Sequence, residues 1–155
     1  MSFPSRKNIR LTEYDYSQPG AYFITICIKD RKPMLSRIVV GASIARPKEI
    51  HLTKYGQITE TAIKNIPQHY PAVSVDNYVI MPDHIHILLQ IHSDNNGKPM
   101  VTQSIKKVIQ QVKGIITKQI GFSMWQKGFY DHIVRCENDY LDIWQYIDNN
   151  PYKYN

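Results

Sequence analysis

Residues 73 to 91, VSVDNYVIMPDHIHILLQI, read as two extended runs bent back on each other by one tight corner. VSVDNYVIM (73 to 81) is rich in β-branched and aromatic side chains, Pro82-Asp83 supplies the turn, and HIHILLQI returns as the antiparallel partner. Successive side chains of an extended chain point to opposite faces. Ile85, Ile87, Leu89 and Ile91 therefore fill one face, and His84 and His86 stand side by side on the other. Such a pair has two readings. The imidazoles are either half-buried residues bonded to their neighbours, or the core of a metal or proton-transfer site. The strand alone does not choose between them.

The rest of the chain surrounds this hairpin with elements that fit one domain, residues 1 to 155, around a single core. AYFITICIK (21 to 29), with Pro19-Gly20 before it, reads as a strand, and SRIVVG (36 to 41) with KEIHLT (48 to 53) as a second extended pair. From 54 to about 68, Ile58, Ala62, Ile63 and Ile66 have helical spacing, with Pro67 near the end. SDNNGKP (93 to 99) is a loop by composition. Val101, Ile105, Val108, Ile109, Val112, Ile115, Ile116 and Ile120 trace a long amphipathic helix that Gly121 can cap. A last helix runs from about 137 to 149 and is stopped by Pro151. Strands with helices between and after them predict an α+β domain with a largely antiparallel sheet.

Charge narrows the partners. Nineteen Lys and Arg against 13 Asp and Glu leave a formal +6, which favours a polyanion such as nucleic acid. Lys106, Lys107, Lys113 and Lys118 lie on the polar faces of the long helix; each, taken singly, also reads as part of a solvated surface. With 43% hydrophobic and 21% charged residues, the composition is that of a folded protein rather than a disordered one. Cys27 and Cys136 are far apart and form no C-x-x-C pair, and Cys27, in an apolar strand, is expected to be a buried reduced thiol. No apolar run approaches the roughly 18 residues of a membrane span. The opening MSFPSRKNIRLTEYDY carries no signal-peptide hydrophobic region, so a soluble cytoplasmic protein is expected.

On the last helix Tyr140, Ile143, Trp144 and Ile147 form one apolar stripe. At roughly 100° per residue, Tyr146 lies about a quarter-turn or more from its centre, on the side of Asp139, Asp142 and Asn150. Asn150 follows Tyr146 by one turn, so the two side chains can reach one point. From the helix alone, Tyr146 reads first as an ordinary exposed or rim tyrosine, and Asn150 before Pro151 as a stop signal. Two same-face histidines with an amide oxygen nevertheless make a three-ligand set for a divalent cation.

At this point a family resemblance emerges. HIH within YVIMPDHIHILL resembles the His-hydrophobic-His motif of the HUH nucleases. WQKGFYDHIVR (125 to 135) and YLDIWQYIDNNPYK (140 to 153) resemble the end of the small single-tyrosine transposases, both the insertion-sequence and the REP-associated (repetitive extragenic palindrome) kinds. RLTEYDYSQPGAYFITICIKDRK (10 to 32) is similar to their first strand, and EIHLTKYGQI (49 to 58) to their strand-to-helix passage.

The resemblance implies a ferredoxin-like α+β domain, with helices packed on one face of a largely antiparallel sheet and a C-terminal catalytic helix. It implies a DNA transposase in which His84, His86 and Asn150 hold Mg²⁺ or Mn²⁺, and Tyr146 is the nucleophile. Tyr146 would attack single-stranded DNA bearing hairpin ends, giving a 5′-phosphotyrosine link and a free 3′-hydroxyl. Lys106, Lys107, Lys113 and Lys118 are the residues expected to contact that DNA. The resemblance favours a homodimer with composite sites, although some REP-associated relatives act as monomers.

Rival readings fit less well. Histidine-triad hydrolases need a third histidine where Leu88 stands, and H-E-x-x-H zinc hydrolases need helical spacing. A domesticated hairpin DNA- or RNA-binding module that has lost transposition would be marked by a broken His-His-Tyr set, and here the set is intact.

Overall fold

The computed structural model describes residues 19–43, 46–93 and 104–153. Its main sheet has four strands, β1 (Gly20–Cys27), β4 (Val73–Ile80), β5 (His84–Ile91) and β6 (Tyr130–Val134), in the spatial order β4-β5-β1-β6. Every neighbouring pair is antiparallel. Two further strands, β2 (Ser36–Ser43) and β3 (Arg46–Leu52), form a separate hairpin inserted after β1. The helices are α1 (Lys54–Lys64), α2 (Ile66–His69), α3 (Ile105–Ile120) and α4 (Glu137–Lys153). With that hairpin set aside, the order β1-α1-β4-β5-α3-β6 and the sheet order are those of a ferredoxin-like α+β domain.

Side-chain alternation divides the interior into two cores. Tyr22, Ile24, Ile26 and Ile28 join Ile85, Ile87, Leu89 and Ile91 under α1 and α3, with Ala62, Ile63, Val108, Val112 and Ile116. The opposite sheet face carries a smaller cluster in which Phe23, Val79, Met81 and Leu88 meet Ile143 and Ile147 of α4. Thus α1 and α3 cover one face and α4 covers the other. The second face is where His84 and His86 stand.

Local chemistry accounts for most boundaries. The Ser104 side chain caps α3, and Gly121 closes it in a left-handed conformation (φ 90°) that a side chain would resist. Asn65 interrupts the helix read over 54 to 68, and the chain restarts as α2 with Pro67 in its first turn, where a missing N–H costs nothing. Pro151 does not stop the last helix: α4 continues to Lys153. Proline removes one intrahelical bond but leaves the residues after it free to complete the turn.

Strand β6 was not read from the sequence, and β4 contains an irregularity. The register passes from Val75 opposite Leu89 to Asn77 opposite Leu88, leaving Asp76 as an extra residue. Val101, most of the 93–99 loop and residues 10 to 18 lie outside the described residues. Among the described residues no helix is long and apolar enough to cross a membrane.

The β2–β3 hairpin is fastened at its base to α1. The Thr53 hydroxyl donates to the Met34 carbonyl at 2.6 Å and accepts from the Gly56 amide at 3.2 Å. Gly56 approaches so closely that a Cβ there would sit 2.1 Å from the Leu35 carbonyl oxygen. Gly56→Ala should therefore force backbone apart and destabilise the fold by about 2–3 kcal/mol, measurable as a lowered urea midpoint with unchanged slope.

Candidate active site

The site grows from one row of the sheet. His86 lies opposite Thr25 on one side and Val79 on the other, and Thr25 is opposite Tyr130, so Val79, His86, Thr25 and Tyr130 share a row across four strands. His84 lies opposite Cys27 in the next same-face position. The two imidazoles are neighbours, with ring centroids 4.7 Å apart. His86 is 6% exposed and stacks on Phe23 at 5.2 Å. Cys27 is buried beside the site.

Each histidine is held by its Nδ1 atom. His84 Nδ1 lies 2.6 Å from the Asp83 carboxylate, and His86 Nδ1 lies 2.8 Å from the Thr25 hydroxyl. Arg31 donates from Nε to the other Asp83 oxygen at 3.1 Å. An ionised carboxylate only accepts, so His84 carries its proton on Nδ1 and leaves the Nε2 lone pair available.

Electrostatics favour neutral rings. Burial pushes His86 well below its ordinary pKa, and the charges of His84 and Arg31 add to that. Burial also lowers His84; Asp83 opposes the shift, Arg31 adds to it, and a side-chain bond to Asn150 opposes it again. Burial alone would raise the Asp83 carboxyl, but the bonds from His84 and Arg31 hold it below the usual carboxylate range.

Helix α4 brings its two predicted residues to the same place. The Tyr146 ring centroid is 5.5 Å from that of His86 and 6.0 Å from that of Phe23. Tyr146 is thus half-buried at the edge of the second core, packed more closely than its place off the apolar stripe suggests. Asn150 is buried rather than exposed, and it donates to the Tyr146 carbonyl at 3.3 Å.

The other tyrosines differ from Tyr146 in ways that matter. Tyr140 donates its hydroxyl to Asp76 at 2.6 Å, and burial together with that carboxylate pushes its pKa up to about 12. Tyr152 lines a separate groove beside β3. Tyr130, by contrast, shares the row of His86 and is the nearest competitor by position.

The four lysines of α3 do not act as one surface. Helix α3 covers the sheet face opposite the histidines, and Lys113 is turned inward as a clamp. Its Nζ donates to the Gln126 and Gly128 carbonyls, both at 2.9 Å. Lys113, one of the four lysines expected to contact DNA, thus makes a structural bond, because the 121–129 loop presents two carbonyls to one ammonium. Lys106, Lys107 and Lys118 are exposed. Lys106 borders a cavity of about 690 Å³ together with Lys29 and Lys127, which helical periodicity could not have grouped. Thr25, Arg31 and Asp83 also went unread; the only sequence signal was the adjacency of Asp83 to His84. Lys113→Ala should cost about 2 kcal/mol, as expected for charge-assisted bonds, whereas Lys106→Ala should stay within about 0.5 kcal/mol, both read by chemical denaturation.

Comparison with known proteins follows from this geometry. No family model matches the chain. An uncharacterized protein of Haemophilus influenzae is 32% identical over 165 residues, covering 94% of this chain and 88% of that one. A second H. influenzae protein, provisionally named a REP-associated tyrosine transposase, is 28% identical, covering 90% of this chain and 74% of its own length. A solved structure of a REP-associated tyrosine transposase bound to a REP hairpin matches the fold with a TM-score of 0.65 and 22% identity, covering 99% of this chain and 74% of the other. By these relatives and this fold, the chain belongs to the family of REP-associated tyrosine transposases.

Proposed function

We propose that this tyrosine transposase cleaves and rejoins single-stranded DNA at hairpin-bearing ends, using Tyr146 as nucleophile and a divalent metal ion at His84, His86 and Asn150. The observation that carries the reading is the convergence of these four residues from β5 and α4 on the second sheet face. Neutral imidazoles and an amide oxygen fit a borderline-to-hard ion such as Mn²⁺, or Mg²⁺ with several waters. Among the described residues no cluster of three His, Cys, Asp or Glu competes for it. When bound, the ion would supply charge stabilisation at the scissile phosphate.

The remaining work belongs to the chain. The Phe23 and His86 rings hold the Tyr146 ring against the sheet and so limit its rotation. The Tyr146 oxygen forms a bond to phosphorus as the bond from phosphorus to the 3′-oxygen breaks. The phenolic proton passes to solvent, and the leaving 3′-oxygen is protonated. The phosphodiester energy is kept in the phosphotyrosine link, so attack by another 3′-hydroxyl rejoins strands without an external energy source. One chain carries all four groups; a homodimer would bring together two complete sites. Lys106, Lys107 and Lys118, with the formal +6 charge, are proposed to grip the DNA backbone.

Incubation with a foldback oligonucleotide and Mn²⁺ should yield a covalent adduct. Tyr146→Phe should abolish it while keeping the ring packing, DNA binding and a melting temperature within a few degrees of the parent. An adduct peptide containing Tyr130 would overturn the assignment. Affinity for the same oligonucleotide should fall steeply with salt, and each of Lys106→Ala and Lys118→Ala should flatten the log-log slope by about 0.7–0.9.

A further inference from the structure

The segment after β1 makes contacts that the proposed chemistry does not use. Lys29–Arg31 forms a single 3-10 turn in which Asp30 (φ 59°) and Arg31 (φ 53°) both adopt the left-handed conformation. Side chains with a Cβ resist that conformation, at a cost of about 1 kcal/mol or more per residue. Two consecutive examples need compensation from their surroundings.

The compensation lies at the Pro82-Asp83 corner. The Ile28 amide donates to the Asp83 carbonyl at 2.9 Å, and the Leu35 amide donates to the Pro82 carbonyl at 3.0 Å, so the whole 28–35 segment is buttoned to that corner. Between the two bonds, the left-handed turn swings Arg31 back over Asp83 and to 3.4 Å from His84 Nδ1. Asp83 is 9% exposed, and its carboxylate is shared between Arg31 and His84.

We propose that Arg31 and Asp83 are a positioning pair for the metal site: Arg31 fixes the Asp83 carboxylate, and Asp83 fixes the tautomer and ring plane of His84. The proposal rests on the metal-binding reading above and assigns to it two residues outside the proposed ligand set. A carboxylate on the far nitrogen of a ligating imidazole keeps the proton there and makes the near nitrogen a better donor. Thr25 holds His86 in the corresponding way but with a neutral hydroxyl, so the two ligands differ in strength and His84 is the stronger. A carboxylate in a turn swivels about its side chain unless its second oxygen is held. Arg31 holds it.

The test is Mn²⁺ affinity of the full-length protein without DNA, measured by the loss of the free-ion electron paramagnetic resonance signal. Asp83→Ala should weaken binding about 10–100-fold. Asp83→Asn, whose amide oxygen can still accept from Nδ1–H, should restore part of the loss, which a general loss of fold would not allow. Arg31→Ala should weaken binding by a smaller factor. In the Asp83→Ala background it should add nothing, because Arg31 acts through Asp83.

Thermal melts accompany each variant. Unchanged Mn²⁺ affinity in Asp83→Asn and Asp83→Ala would overturn the proposal. So would equal, additive losses from Arg31 and Asp83 changes, or an Arg31→Ala effect confined to DNA binding. If the unaltered protein binds no Mn²⁺, the metal reading itself fails and takes this pair with it. Binding that persists through the Asp83 changes fails the pair alone.

Discussion

Eight residues of β1 pair with eight of β5, from Gly20 opposite Ile91 to Cys27 opposite His84, and this register decides what each face of the sheet contains. Ile85, Ile87 and Leu89 are fully buried and Ile91 is 1% exposed, each adding about 1.5–3 kcal/mol by leaving water. A slip of one residue would send these four outward and drive both histidines into the larger apolar core. That penalty locks the strand. The imidazoles therefore inherit their positions from aliphatic packing on the other side of the same strand, and no bond of their own is needed to choose the face.

The second core is the place where this protein tolerates polarity. It is small, and around its six buried members it accepts a histidine stack, a tyrosine edge and the amide of Asn150. Helix α4 is tied across it by polar contacts at both ends. Asn77 reaches Asp148 at 3.1 Å, and His132 of β6 meets Asp139 at 2.8 Å. Such ties orient a helix more sharply than apolar contacts do, because hydrogen bonds fade over a few tenths of an ångström and with angle.

How legible all this was in the sequence follows from the range of each interaction. The 73–91 hairpin, the shared face of His84 and His86, the apolar stripe of α3 and the Gly121 cap depend on neighbours within a few residues, and the alternation or spacing displays them. Strand β6 carries no such mark. All five of its residues are half-buried, so YDHIV lacks a contrast between faces. The partners of the histidines were hidden for another reason: Thr25 and His86 are 61 positions apart, Arg31 and Asp83 are 52 apart, and nothing local announces either meeting. The Lys113 clamp was hidden because periodicity tells which side of a helix a long side chain leaves from, not where its ammonium ends. The packing of Tyr146 was missed in the same way, since the stripe it departs from is narrower than the surface that α4 buries.

The extra residue in β4 works as a change of phase. Before it, the odd-numbered Val73 and Val75 belong to the larger core; after it, the even-numbered Tyr78 and Ile80 do, while Val79 and Met81 turn toward α4. A continuous two-residue alternation through 73–81 could satisfy only one half of this strand. Asp76 absorbs the mismatch, and the residue spent on it is also the carboxylate that receives the Tyr140 hydroxyl. Length is thus a coded quantity here. Deleting Asp76 would leave a regular alternation in which Val73, Val75, Tyr78 and Ile80 keep the larger core and Asn77 and Val79 keep the α4 side, so what the shorter strand would lose is the carboxylate that receives the Tyr140 hydroxyl.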